Sequence, residues 1–404
     1  MIFISLLLTS LVLTCAEDNS QGYCIANEQS CATQLEEEEE KFIFYDVNPP
    51  EGFNLRRDVY MRFAIMMSEA RKQGRRKNWN LVLPPWYNLY HWKTADVSNE
   101  PLPWSMFFDV ESLKAFAPVV ELHELFSKTK RKHFQIDRLY VLQNFPNAFE
   151  NGVFDDKWEI NTHCDYTASF WGYKNVTVKE IVCVKFQGMI SKLWEVVMQS
   201  SHKYVMFAHG EIPLHDNYGS KSFWECRKSM KFSKKLIETA KKYISENLHC
   251  EGDICSTYIS VHWRRQDFAR ARKRDVPSIK GTSTQIDKAI KKHNSDIVDV
   301  FIASDAQYSE LIQLENQLKN LGYRVHFYSP TENDLQELRD GGIAIVDQII
   351  CTHAAYFIGT HESTFTFRIQ EDREILGFES STTFNRLCPD TGRCEKPSKW
   401  TIVQ

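Results

Sequence analysis

At 404 residues the chain exceeds what one ordinary hydrophobic core holds, so two domains are expected. A composition of 43% hydrophobic and 25% charged residues excludes a disordered chain. The formal net charge of −4 gives no global pull toward nucleic acid or an anionic membrane, so any phosphate contact has to come from a local basic site.

Met1 to Ala16 carry no charge, and Ile2 to Leu13 are mostly apolar. With small residues at Thr14 and Ala16, residues 1–16 read as a signal peptide lacking the usual basic start. The apolar stretch is shorter than the roughly 20 residues that span a bilayer, and no later segment reads as a membrane span. Residues 17–40, closing on Glu36 to Glu40, read as an acidic flexible tail.

Phe42 to Tyr45 reads as a strand, Asn48 to Phe53 as a Pro/Gly loop, and the apolar spacing from Leu55 to Ala70 as a helix that Asn54 could cap. Leu81 to Leu83 gives a second strand, stopped by Pro84 and Pro85. The middle, about 85–225, is aromatic-rich and poorly periodic and reads as the remainder of a first domain with long loops. Beyond it, Tyr258–Trp263, Ile297–Ala303, Tyr323–Tyr328 and Ala354–Ile358 read as strands alternating with helices. That alternation predicts parallel α/β sheets, whose ligands sit beyond the carboxyl ends of strands.

The chain holds 11 cysteines. Four pairs lie close in sequence and are expected as disulfides: Cys24–Cys31, Cys164–Cys183, Cys250–Cys255 and Cys388–Cys394. Short-loop disulfides fit an oxidising lumen, as does the sequon Asn175-Val176-Thr177. Cys351, in an apolar run, reads as a small core residue.

Three strand-exit loops could carry chemistry. In Pro49-Pro50-Glu51-Gly52-Phe53-Asn54 a carboxylate sits on a stiff turn, as a general base or as a solvated surface residue. In His262-Trp263-Arg264-Arg265-Gln266-Asp267 two guanidinium forks leave a strand, suited to a diphosphate or to ordinary ion pairs, with Asp267 able to brace one of them. In Phe357-Ile358-Gly359-Thr360, followed by Ser363, Thr364 and Phe365, a glycine turn leads into a helix whose N-terminus attracts phosphate or is simply capped by its hydroxyls. Asp347 lies within an apolar helix and needs a partner. Asp-x-Asp, H-E-x-x-H, G-x-G-x-x-G, P-loop and G-x-S-x-G motifs are absent from the sequence. A glycosidase would want two opposed carboxylates, and one such loop is evident.

These stretches resemble the protein O-fucosyltransferases that act on thrombospondin type 1 repeats. The likeness is carried by Tyr45 to Asp58, Leu81 to Trp86 with Leu89 to Trp92, His262 to Arg265 with Asp267-Phe268, Asp275 to Ser278, Asp347-Gln348 with Ile350-Cys351, and Phe357 to Thr360 with Ser363 to Phe365 and Phe367 to Ile369. It runs from about Lys41 to the C-terminus. The resemblance implies a GT-B fold, with two Rossmann-like domains (41–225 and 226–404) facing across a donor/acceptor cleft. It implies an inverting, metal-independent transfer of fucose from GDP-fucose to a Ser or Thr of a folded repeat, by a monomer in the endoplasmic reticulum lumen or the Golgi. Glu51 would be the base, and Arg264 and Asp372 would complete the catalytic set. Pro50, Glu51, Gly52, Phe53, Asn54, His262, Trp263, Arg264, Asp347, Ser363, Thr364 and Phe365 would hold the donor, with no metal or other cofactor. Asp372 stands where the family is expected to carry Glu, and Trp263 where it usually carries Leu. The rival within the class is an enzyme acting on EGF-like repeats; outside it, a non-catalytic luminal chaperone.

Overall fold

In chain order the first half comprises β1 (Lys41–Tyr45), α1 (Phe53–Lys72), β2 (Trp79–Leu83), α2 (Val110–Phe116), β3 (Val119–Glu121), α3 (Leu122–Thr129), β4 (Phe134–Gln143), β5 (Lys157–Asn161), β6 (Val176–Gln187), α4 (Leu193–Val197), β7 (Tyr204–Ala208) and α5 (Lys221–Ser229). The second half comprises α6 (Lys234–Leu248), β8 (Tyr258–Trp263), α7 (Gln266–Ala271), α8 (Ile279–His293), β9 (Asp299–Ser304), α9 (Tyr308–Asn320), β10 (Arg324–His326), α10 (Glu332–His353), β11 (Tyr356–Ile358), α11 (Thr364–Ile375) and α12 (Ser380–Thr383). The computed structural model describes residues 39–89, 92, 100–130, 132–146, 154–161 and 164–403. The expected signal peptide, most of the acidic tail, the Cys24–Cys31 pairing and Tyr90–His91 lie outside them.

The strands form two sheets, ordered β3-β2-β1-β7-β4-β6-β5 and β10-β9-β8-β11. Every pairing is parallel except β5 with β6. The nearly continuous burial of β1, β7 and β8 matches their place inside the sheets, since parallel strands are covered on both faces. The longest strands, β4 and β6, fall in the middle segment expected to be loop-rich. Their alternation is broken because each is buried along one part and exposed along another, so no single period spans them.

One hydrophobic cluster joins Ile43 and Val59 of the first half to Tyr258, Phe301 and Phe357 of the second. The expected boundary between residues 225 and 226 falls inside α5, which packs on α1 and α2. Cys164–Cys183, Cys250–Cys255 and Cys388–Cys394 form disulfides, and Cys226 and Cys351 are buried thiols. None of the described helices is long and apolar enough to cross a membrane.

Candidate active site

Open parallel sheets bind ligands where the strand order reverses. The first sheet reverses between β1 and β7, the second between β8 and β11. The three loops singled out in the sequence leave β1, β8 and β11.

At the first reversal the loops after β1 and β7 are tied together. Asp46 N donates to Phe207 O and Gly210 N to Asp46 O, each at 2.8 Å. Pro49 and Pro50 cannot continue a strand ladder, and Glu51 N closes the turn onto Asn48 O at 2.9 Å. Arg56, from the first turn of α1, donates Nε to Glu51 O at 3.0 Å and places Nη1 3.6 Å from Asp46 Oδ1. The Glu51 carboxylate is half-buried and makes no hydrogen bond among the described residues. Burial, then the charge of Glu211, raises its pKa above the usual range, against the pull of Arg56.

Glu211 and His209 come from the loop after β7 and were not singled out in the sequence. Glu211 Oε2 accepts from Asn48 N at 3.1 Å, and its Oε1 lies 3.3 Å from His209 Nδ1. His209 holds a left-handed φ of 59°, a costly conformation for a residue with a side chain. The same search of strand exits would have reached both had β7 been recognised.

Pro50 is exposed at the tip of the turn. Gly52, not Asn54, occupies the N-cap of α1. Asn54 Oδ1 instead accepts from Arg57 Nη1 at 3.1 Å and from Gln348 Nε2 at 2.9 Å, tying α1 to α10. The Phe53 side chain is buried among Trp86, Trp92, Phe107 and Phe108, because a large ring at the start of α1 gains more from the core than from water.

At the second reversal His262 is buried, its Nδ1 shares a 2.8 Å hydrogen bond with Thr366 Oγ1, and its ring stacks on Phe365 at 4.4 Å. Burial, and then Arg264, lower its pKa to about 3, so the imidazole is neutral. Thr360 Oγ1 donates to His262 O and accepts from Arg264 N, both at 2.9 Å, locking the loops after β8 and β11 together. Gly359 permits this approach: a Cβ there would stand 2.1 Å from Thr366 Cγ2. Arg264 lies between Asp267 (2.9 Å) and Asp305 (3.2 Å). Arg265 turns away to Glu310, at 2.5 Å. Trp263 is fully buried, with the Arg265 guanidinium 5.1 Å from its ring centre. Strand alternation sends its side chain opposite His262, into the core.

Ser363 is the N-cap residue of α11 but its side chain caps nothing, and the first turn holds no acidic residue. Thr364 is exposed beside it. This N-terminus therefore keeps its N–H groups and positive dipole end for an anion. On α10, Asp347 Oδ1 is enclosed without a hydrogen-bond partner, and burial raises its pKa to about 8.

Asp372 is placed elsewhere. Its Oδ1 accepts from Arg227 Nη2 at 2.7 Å, and Arg227 Nε donates to Glu371 Oε2 at 2.7 Å. Arg368 adds contacts to Glu371 Oε1 (3.1 Å) and to Asp58 Oδ1 on α1 (3.7 Å). Arg227 thus links Asp372 and Glu371 of α11 to α5, while the second Asp372 oxygen, Oδ2, is enclosed without a hydrogen-bond partner. Among the described residues no group of three or more His, Cys, Asp or Glu could hold a metal ion.

Two sheets with a ligand-ready reversal in each, one acidic and one set for an anion, define a glycosyltransferase of the GT-B class. The solved structure of POFUT1 in complex with GDP superposes with a TM-score of 0.58 at 16% identity, covering 83% of this chain and 95% of that one. POFUT1 in complex with GDP-fucose gives 0.56 at 15%, covering 86% and 97%. The Homo sapiens protein named GDP-fucose protein O-fucosyltransferase 2 is 37% identical over 396 residues, 90% of each chain. Its Caenorhabditis elegans namesake is 38% identical over 400 residues, 90% of this chain and 91% of that one. Residues 42–376 match the GDP-fucose protein O-fucosyltransferase family, and the chain belongs to it.

Proposed function

We propose that this O-fucosyltransferase moves fucose from GDP-fucose to a Ser or Thr hydroxyl of a folded thrombospondin type 1 repeat, by a single inverting displacement without a metal. The observation that carries the reading is the unengaged, half-buried Glu51 carboxylate on a tied-down turn at the first reversal. In this reading Glu51 takes the hydroxyl proton as the oxygen bonds to the sugar's anomeric carbon. The bond from that carbon to the β-phosphate oxygen breaks, and GDP leaves with the electron pair. Arg264, neutral His262 and the α11 N-terminus are placed to stabilise the diphosphate, the function a metal serves elsewhere. Asp347, with an orphaned oxygen, suits the N–H donors of a guanine edge, and Phe365, stacked on His262, is assigned to the phosphate and base region.

The acceptor assignment rests on the Pro49–Asn54 stretch and on the relatives' shared name. Three disulfides support an oxidising compartment, the endoplasmic reticulum lumen or Golgi, where the protein acts as a monomer. The test is incubation with GDP-fucose and three acceptors: a folded thrombospondin repeat, the same repeat reduced, and a folded EGF-like repeat. Fucose on the first alone is expected. Transfer to the EGF-like repeat alone overturns the acceptor assignment, and transfer to none supports a chaperone.

A further inference from the structure

The loop after β7 supplies a carboxylate that no step above uses. Glu211 reaches across the strand reversal to the backbone of the turn that carries Glu51, bonding Asn48 N at 3.1 Å. Its own loop is clamped: Arg62 Nη1 donates to Glu211 O at 2.8 Å and to Pro213 O at 2.6 Å, and Arg62 Nη2 is held by Asp58 Oδ2 at 2.7 Å. Gly210 N completes the staple to Asp46 O at 2.8 Å. A charged acceptor on a backbone N–H makes a stronger bond than a neutral one, and strand-exit turns depend on such ties for a fixed shape.

We propose that Glu211 is a positioning residue for the base: it fixes the Asn48–Gly52 turn and, as a second negative charge beside Glu51, sets the pH range over which that base works. This rests on the assignment of Glu51 as base. The groups facing the pair come from every neighbouring element. They are Asp46 before the turn, Arg56 and Arg62 from α1, His209 on Glu211's own loop, and Tyr166 from the segment ahead of β6. Arg56 opposes the effect on Glu51 and Glu211 reinforces it. Burial pushes the Glu211 carboxyl up, but the bonds from His209 and from backbone N–H groups outweigh it, so Glu211 stays ionised where Glu51 titrates. Two carboxylates in one site raise the pKa of one, which brings a general base closer to neutral pH.

The test is the pH dependence of kcat/KM for fucose transfer in wild type, Glu211→Gln, Glu211→Ala and Glu51→Gln. Glu211→Gln keeps an oxygen for Asn48 N but no charge, so the acidic limb moves down by roughly one pH unit while the plateau stays within about threefold. Glu211→Ala also frees the turn, so the same shift comes with a loss of about tenfold in kcat. If both Glu211 variants keep the wild-type limb and rate while Glu51→Gln is inactive, the inference is overturned and the base assignment stands. An active Glu51→Gln overturns the base assignment itself.

Discussion

The two strand reversals share a topology and differ in chemistry. At the first, between β1 and β7, the side chains are titratable: Asp46, Glu51, His209 and Glu211 crowd around Arg56. At the second, between β8 and β11, the central ring is a neutral His262, dry and locked to Thr366, with Arg264 and a bare helix N-terminus at its rim. One side carries groups able to exchange a proton; the other offers a neutral imidazole, a guanidinium and free N–H groups to negative charge. The difference follows from burial. His262 lies inside its sheet edge and loses its charge, whereas Glu51 stands half out of its own and keeps a charge that is costly to hold.

Glu51→Gln breaks the acidic side most directly. Transfer is expected to fall by about 10²–10⁴-fold, with GDP affinity by calorimetry unchanged. Normal turnover would remove the base from the first reversal. Arg264→Ala strikes the anion side and leaves Asp267 and Asp305 without their cation. GDP affinity and rate are each expected to drop by about tenfold or more, as for a lost charge-assisted bond of roughly 1.5–3 kcal/mol; unchanged affinity would dissociate this arginine from the diphosphate.

The second half also holds a strongly shifted carboxyl, Asp347, whose pKa near 8 leaves it mostly protonated at pH 7. A guanine edge that donates N–H bonds favours the ionised form. GDP binding at pH 7 is then expected to release close to one proton, and affinity to rise about tenfold from pH 7 to pH 9. The sign runs with the raised carboxyl: the nucleotide-free fold loses stability as pH rises from the ordinary carboxylate range through about 8. Calorimetry in buffers of different ionisation enthalpy reads the proton, and Asp347→Asn should abolish its release. The smallest effect is expected from Thr366→Val, which keeps the shape against Gly359 but removes the partner of His262 Nδ1. A rate loss of about fivefold corresponds to one hydrogen bond of roughly 1 kcal/mol. No loss would mean that stacking on Phe365 alone orients the imidazole.

The α/β class, three of the strand-exit loops, three disulfide pairs and the family are legible without coordinates, because each of these is written in short contiguous stretches. The Pro-Pro-Glu-Gly turn, the Gly359 turn and the Cys250–Cys255 spacing need no distant partner to be read. Which side chains meet came from the folded arrangement. It packed Phe53 among aromatic rings, gave Asn54 to Arg57 and Gln348 rather than to a helix cap, and paired Asp372 with Arg227. It also carried Glu211 to Asn48 across 163 positions of chain. Strand periodicity reports that a residue lies at a sheet edge; which other edge it faces depends on strand order, and strand order leaves no local trace in the sequence.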